Sequence, residues 1–280
     1  MTTAPFRFGV SLLKLTSRSE WRARVRQAED MGYDVLHVPD HLETPSPLVA
    51  LVAAADATSM RLGTFVMNAG IVNPKYLARD VADVYRLTEG RLELGLGAGY
   101  VPAEFEAVGL PFGTGGERLQ KLEAVLSTTR QLLAEEPDKP QPRIMLAGAG
   151  DRMLRLGARA ADIFSFNIRA GLTEGMTPDQ AFAHRIEILR EAAGDRFADL
   201  ELNLGAAAVA ESLDDLDLEV IGKASGLDDT QLGQLPAVLV GSPREIADRL
   251  QRYREQHDVS YISVLEPHMN FFARVIKHLR

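Results

Sequence analysis

Two kinds of residue in this chain could do chemistry. One is an acid beside an imidazole, Asp40-His41, directly after the apolar run VLHVP. An imidazole titrates near neutrality, so His41 is a candidate general acid or substrate hydrogen bonder, with capping or packing as the alternative. The other is a pair of small-residue runs, Gly97-Ala98-Gly99 followed by Tyr100, and Ala147-Gly148-Ala149-Gly150. Such runs let backbone approach a flat or bulky ligand and offer N–H groups to anionic oxygens; tight turns are their other use. Asn68, Ala69 and Gly70, and separately Asn167, close two further apolar runs, with Asn68 either a ring contact or a turn former.

What is missing narrows the chemistry. There is no cysteine, hence no disulfide, thiolate metal site or cysteine nucleophile. The six histidines form no metal constellation with converging acids. There is no G-x-S-x-G elbow and no Walker lysine, and GLGAG lacks the G-x-G-x-x-G spacing of a dinucleotide fold. A site with these residues suits a cofactor that brings the chemistry with it.

The elements that must position these residues alternate regularly. Strands are expected at 6–12, 35–39, 62–67, 91–97, 143–148, 162–167, 200–209 and 261–266. Helices are expected after each: Ser17 and Glu20 in capping-box spacing to about Met31, Ser46-Pro47, Asn73-Pro74 to Glu89-Gly90, Glu117 to Leu133, Asp151 to Ala160, Thr177-Pro178 with Gln180 to Ala193, Ser242-Pro243 with Glu245 to His257, and Met269 to Leu279. Residues 211–236 are acidic and follow no clear pattern. Eight pairs of buried strand and amphipathic helix predict a single (β/α)8 barrel, domain 1–280, over a doubly wound open sheet. In such a barrel the working groups sit at the carboxyl ends of the strands, where Asp40, His41, Asn68, Gly97 to Tyr100, Ala147 to Gly150, Asn167 and Glu266 all fall. Glu266 either enters the pocket or simply ends its strand. His37, inside its strand, reads as a core histidine, Trp21 as helix-to-barrel packing, and Glu104 as a loop acid pairing with Arg118. The Ser242-Pro243 helix start could hold a phosphate, or be an ordinary cap.

These segments carry a family resemblance. AEDMGYDVLHVPDH (28–41), the run from LGTFVMNAG through GLGAGYVPAEFEAVGLPF (62–112), MLAGAGDRMLRLGARAADI (145–163) and VGSPREIADRLQRYREQHDVSYISV (240–264) resemble the bacterial luciferase-like superfamily, in particular its deazaflavin-dependent oxidoreductases. The chain is shorter than most members and lacks most of the usual insertion after strand seven, which implies a more open pocket. The resemblance implies a tricyclic ring in the barrel mouth and a non-proline cis peptide near Met67 to Gly70. It implies cofactor contacts from Asp40, Asn68, Ala69, Gly97, Ala98, Gly99, Ala147, Gly148, Ala149, Gly150 and Asn167, and a substrate-facing His41. Some deazaflavin enzymes carry Glu directly after the strand-four glycines; Tyr100 stands there instead, so the proton donor is Tyr100 itself or comes from elsewhere, with His41 preferred. The implied activity is hydride transfer between the deazaflavin coenzyme F-420 and a small organic substrate. The alternatives are an FMN-dependent monooxygenase and a non-catalytic flavin-binding protein of the same fold. An unrelated barrel acting on a sugar phosphate would want a lysine at a strand end, and none is there. A homodimer is the default assembly.

Net charge is −8 without a basic cluster or aromatic–basic interleaving, which argues against nucleic acid. The longest nearly apolar run, 48–55, is too short to span a bilayer and the first ten residues hold no apolar signal core, so a cytoplasmic protein with no membrane partner is expected.

Overall fold

Short apolar runs become strands covered on both faces. β1 (Arg7–Ser11), β2 (Val35–Val38) and β5 (Leu92–Gly97) are enclosed along nearly their whole length, as parallel strands between two apolar layers must be. The computed structural model describes residues 4–216 and 229–280. The remaining main strands are β3 (Arg61–Thr64), β4 (Met67–Asn68), β6 (Arg143–Ala147), β7 (Ile163–Phe166), β8 (Glu201–Gly205) and, after the short β9 (Ala208–Ala210) and β10 (Val238–Val240), β11 (Val259–Leu265). Their order is β3-β2-β1-β11-β8-β7-β6-β5-β4, with a further β3–β5 pairing. The fold is a (β/α)8 barrel of parallel strands with flanking helices.

The chain divides into two compact units. The first, residues 12–29 and 35–146, holds β2 through β6. β2 pairs with β3 from Val35↔Arg61 to Val38↔Thr64, and β5 pairs with β6 from Glu93↔Arg143 to Leu96↔Leu146. Around them lie α1 (Arg18–Asp30, except its last residue), α2 (Pro47–Ala55), α3 (Pro74–Leu87), α4 (Pro102–Ala107) and α5 (Gly115–Glu135). Trp21 is buried and donates its indole N–H to the Ala50 carbonyl, a bond from α1 to α2 rather than to a strand.

The expected third strand, 62–67, is interrupted. The Thr64 hydroxyl donates to the Gly95 carbonyl at 2.8 Å and accepts the Gly95 N–H at 2.9 Å, taking over both ladder groups of that residue. A Cβ on Gly95 would lie 2.1 Å from the Thr64 carbonyl oxygen, so only glycine permits this approach. Ladder pairing resumes in β4, Met67 with Leu96 and Asn68 with Gly97. The Phe65–Val66 peptide bond between the two pieces is cis, just before the expected stretch of 67–70.

The other unit, residues 1–11, 30–34 and 147–280, holds β1, β11, β8 and β7 as neighbours. Its described helices are α6 (Asp151–Ala160), α7 (Pro178–Ala193), α8 (Asp229–Gly233), α9 (Pro243–His257) and α10 (Met269–Leu279). The expected seventh strand, 200–209, divides into β8 and β9. Ala207 turns its N–H to the Ala237 carbonyl and β9 pairs with β10 in a separate two-stranded sheet. Of the unpatterned stretch 211–236, residues 217–228 lie outside the described residues; 229–233 is helical.

Capping follows the sequence closely. Thr177 with Gln180 and Ser242 with Glu245 form complete capping boxes, and Asn73 accepts from Lys75 N–H. Ser17 accepts from Glu20 N–H, but the Glu20 carboxylate takes the Thr16 hydroxyl, so that box is half made. Ser46 caps nothing with its side chain. The expected fourth helix starts earlier, at Gly115, with a Thr114–Glu117 box, and α4 precedes it where a loop was expected. Among the described residues no helix is long and apolar enough to cross a membrane.

Candidate functional site

The first unit gathers Asp40, His41, Asn68, Gly99 and Tyr100 at the carboxyl ends of β2, β4 and β5. The backbone of His41 is fixed by Thr44, whose hydroxyl accepts the His41 N–H at 3.1 Å and lies within 3.0 Å of the Pro39 and His41 carbonyls. Its ring is fixed from the far side of a loop. The Glu104 carboxylate lies 2.7 Å from Nδ1, and Tyr100 meets the ring edge-on with its hydroxyl 3.4 Å from Nε2. His41 remains 34% exposed whereas the Glu104 side chain is 11% exposed. The imidazole therefore stands at the surface of the site with an enclosed anion behind it.

Glu104 does not pair with Arg118 as the sequence suggested. The Arg118 guanidinium donates instead to the Gly99 carbonyl at 3.0 Å and the Gly113 carbonyl at 2.8 Å, and stacks over Phe112. Phe112 packs edge-on against Phe105, which is 2% exposed. This clamp holds α4 and hence Glu104. A signal was present: Pro102 opens a turn at its first helical position, with an acid two residues on and a large apolar residue next to it.

Asp40 faces the other way. Its carboxylate accepts the Asn68 N–H at 2.9 Å. Burial pushes its pKa above the ordinary carboxylate range and the nearby Glu104 pushes the same way, while the Asn68 bond and His41 oppose them. The Tyr100 hydroxyl is also held above its ordinary value, first by desolvation and then by Glu104. The Tyr100 residue is 74% exposed, so solvent screens both effects.

The glycine-rich rim is less bare than its composition suggested. A Cβ on Gly97 would lie 2.7 Å from Val66, and one on Gly99, whose φ is +79°, 2.3 Å from the Asn68 side-chain oxygen. Phe105 fills the space beside Gly70. These glycines accommodate the chain's own side chains. Ala69 is fully buried and donates to the Gly97 carbonyl, while Ala98 is half-buried. Asn68 is 4% exposed and its amide nitrogen Nδ2 has no hydrogen-bond partner among the described residues. A buried amide without an acceptor fits a carbonyl-bearing ring beside it, and the Asp40 carboxylate next door could accept from a ring N–H. An open groove of about 510 Å³ lined by Leu13 to Thr16, Glu43 to Ser46, Val49 and Ala50 adjoins the His41–Thr44 loop.

Ala147, Gly148, Ala149, Gly150 and Asn167 belong to the other unit. Gly148 faces Met153, Gly150 has open space where a Cβ would stand, and Asn167 accepts from Arg169 N–H as a local cap. Glu266 opens a short 3-10 turn after β11. The amino end of α9 is occupied by its own box, with the Glu245 carboxylate accepting the Ser242 N–H and hydroxyl, so capping accounts for it. His37 is buried, stacked on Phe65 at 4.5 Å, as a core histidine would be. Among the described residues no group of histidine and acid side chains could hold a metal ion.

The family model for luciferase-like monooxygenases matches residues 1–219. The 4-hydroxyprotoasukamycin monooxygenase of Streptomyces nodosus subsp. asukaensis is 29% identical over 136 residues, 46% of this chain and 34% of that protein. The chain thus spans about a third of that curated relative's length. The coenzyme F-420-dependent tetrahydromethanopterin reductase of Methanopyrus kandleri superposes with a TM-score of 0.75 at 17% identity, covering 99% of this chain and 100% of that one. The oxygenating constituent of the 3,6-diketocamphane monooxygenase of Pseudomonas putida, in complex with FMN, gives 0.75 at 15% identity over 99% and 98%. At such identities the likeness speaks for the fold alone.

Proposed function

Since this chain belongs to the luciferase-like monooxygenase family, we propose that it is an oxidoreductase moving hydride between reduced coenzyme F-420 and a small organic substrate with a C=C, C=N or C=O group. The observation that carries this reading is His41, exposed at the strand ends with one ring nitrogen on a buried carboxylate and the other beside a hydroxyl. That is the arrangement of a proton donor rather than of a nucleophile. The bound deazaflavin would supply the hydride chemistry through carbon 5. Everything else falls to the chain. Asn68 Nδ2 and Asp40 would hydrogen-bond the ring, with Ala69, Gly97, Ala98 and Gly99 beside them. His41 would deliver a proton from Nε2 to the substrate heteroatom or carbon, and Tyr100 would lie against the substrate.

Titration of the purified protein with each coenzyme, followed by fluorescence, tests this reading. The expected result is saturable binding of coenzyme F-420; tight FMN binding with no deazaflavin response would overturn it. The monooxygenase named among the relatives supports a second reading, an FMN-dependent monooxygenase on the same scaffold. Oxygen consumption coupled to reduced flavin would decide for it. The working unit in either case is proposed to be a single barrel domain over 1–280, acting as a homodimer in the cytoplasm.

A further inference from the structure

We propose that Glu104 is the positioning residue of His41, fixing its neutral ring as the tautomer protonated at Nδ1 and so assigning all proton exchange with the substrate to Nε2. The proposal rests on the reading of His41 as proton donor for its functional consequence, but its structural core stands alone.

An ionised carboxylate only accepts hydrogen bonds. With Glu104 2.7 Å from Nδ1, the proton of a neutral His41 ring must sit on that nitrogen, which leaves Nε2 bare. Nε2 then faces Tyr100, whose hydroxyl at 3.4 Å is the long and weak partner of the two. When the ring takes a second proton, the one on Nε2 is the labile one, because the other is held against an anion. A side chain free to rotate would instead divide its protons between both nitrogens and both faces.

The placement of Glu104 is over-determined. Phe105, next to it, is wedged beneath Gly70 and Gly99, where a Cβ would approach its ring to within 2.4 Å and 2.8 Å. Phe112 and Arg118 lock Phe105 from outside, and Arg118 also holds the Gly99 carbonyl, one residue before Tyr100. One clamp thereby sets the partners of both ring nitrogens. The titratable groups facing this cluster are Asp40, whose carboxyl interacts with His41 and Glu104, and Tyr100, which interacts with Glu104. With the Glu104 charge removed, the Asp40 carboxyl still interacts with the His41 ring.

The test is a long-range proton–nitrogen spectrum of the imidazoles in uniformly nitrogen-15-labelled protein, with His41 assigned by its loss in His41→Asn. At a pH where the ring is neutral, the wild type is expected to show Nδ1 protonated. Glu104→Gln, nearly isosteric and able to present either an oxygen or an N–H, should abolish that exclusive state. In turnover with coenzyme F-420 it should lose about 10- to 100-fold in kcat with KM little changed. A wild-type ring protonated at Nε2, or an unchanged tautomer in Glu104→Gln, would overturn the proposal. If Glu104→Gln fails to fold, the wild-type spectrum still decides. Binding of neither coenzyme to the wild type would remove the proposed function while leaving the tautomer result intact, so the two failures are distinguishable.

Discussion

Glu93 and Glu104 are carboxylates of the same compact unit, on consecutive elements, and both are nearly closed off from water, at 1% and 9% exposure. Their partners differ. Glu93 sits at the amino-terminal ends of the strands with Arg61 at 2.6 Å and Arg143 at 3.8 Å, each the first residue of its strand. Glu104 sits at the carboxyl ends against a histidine. A guanidinium is always charged, so the Glu93 cluster is one fixed arrangement of charge that ties β3, β5 and β6 together. An imidazole gains and loses its proton near neutrality, so the same enclosed anion at the opposite strand ends controls a group that can change state. In a barrel of this kind the first end serves stability and the second serves chemistry.

The sharpest way to break that comparison is to remove each partner. His41→Ala is expected to cut turnover about 100- to 10,000-fold while the melting temperature stays close to wild type; near-normal turnover would remove His41 from the chemistry. Arg61→Ala should do the reverse. It removes the 2.6 Å partner of the enclosed Glu93 and should cost about 3 kcal/mol in denaturant unfolding, with turnover per folded molecule unchanged.

Gly99→Ala probes the clamp between the two. The positive φ and the 2.3 Å approach to Asn68 predict a loss of about 1–2 kcal/mol, together with weaker coenzyme binding because Asn68 must shift. The smallest effect is expected from Asp40→Asn, which keeps an acceptor for the Asn68 N–H. Burial raises the folded-state pKa of Asp40, so its ionised form is a cost to folding that grows as pH rises from the ordinary carboxylate range through the raised value. The variant should be slightly more stable than wild type at neutral pH, and the difference should vanish on acidification below the ordinary range. A difference independent of pH would show that the Asp40 charge carries no such cost.

Much of the scaffold was legible in the amino-acid order. Runs of apolar residues predicted β1, β2, β5, β6, β7 and β11 to within a residue or two, because a strand buried on both faces has little choice of composition. The boxes at Thr177 and Ser242 were legible because a cap acts over three residues. The interruption between β3 and β4 was not. It depends on the Thr64 hydroxyl replacing the ladder at Gly95, and Gly95 lies 31 positions along the chain. The small helix α4 was missed for a related reason: six residues are too few for a periodic pattern, and its stability comes from Phe105 beneath two glycines.

By itself, the order of residues determined the alternation of strand and helix, the caps, and the absence of thiol or nucleophile-elbow chemistry, since each is a local property of types and spacings. It also marked Asp40 and His41 as the groups to watch. Only the tertiary structure decided that His41 is held by Glu104, 63 residues away, and that the spaces beside Gly97 and Gly99 belong to Val66 and Asn68 rather than to open surface. Contacts of that kind arise from how elements pack once their side chains compete for the same volume, and no spacing along the chain records the outcome of that competition.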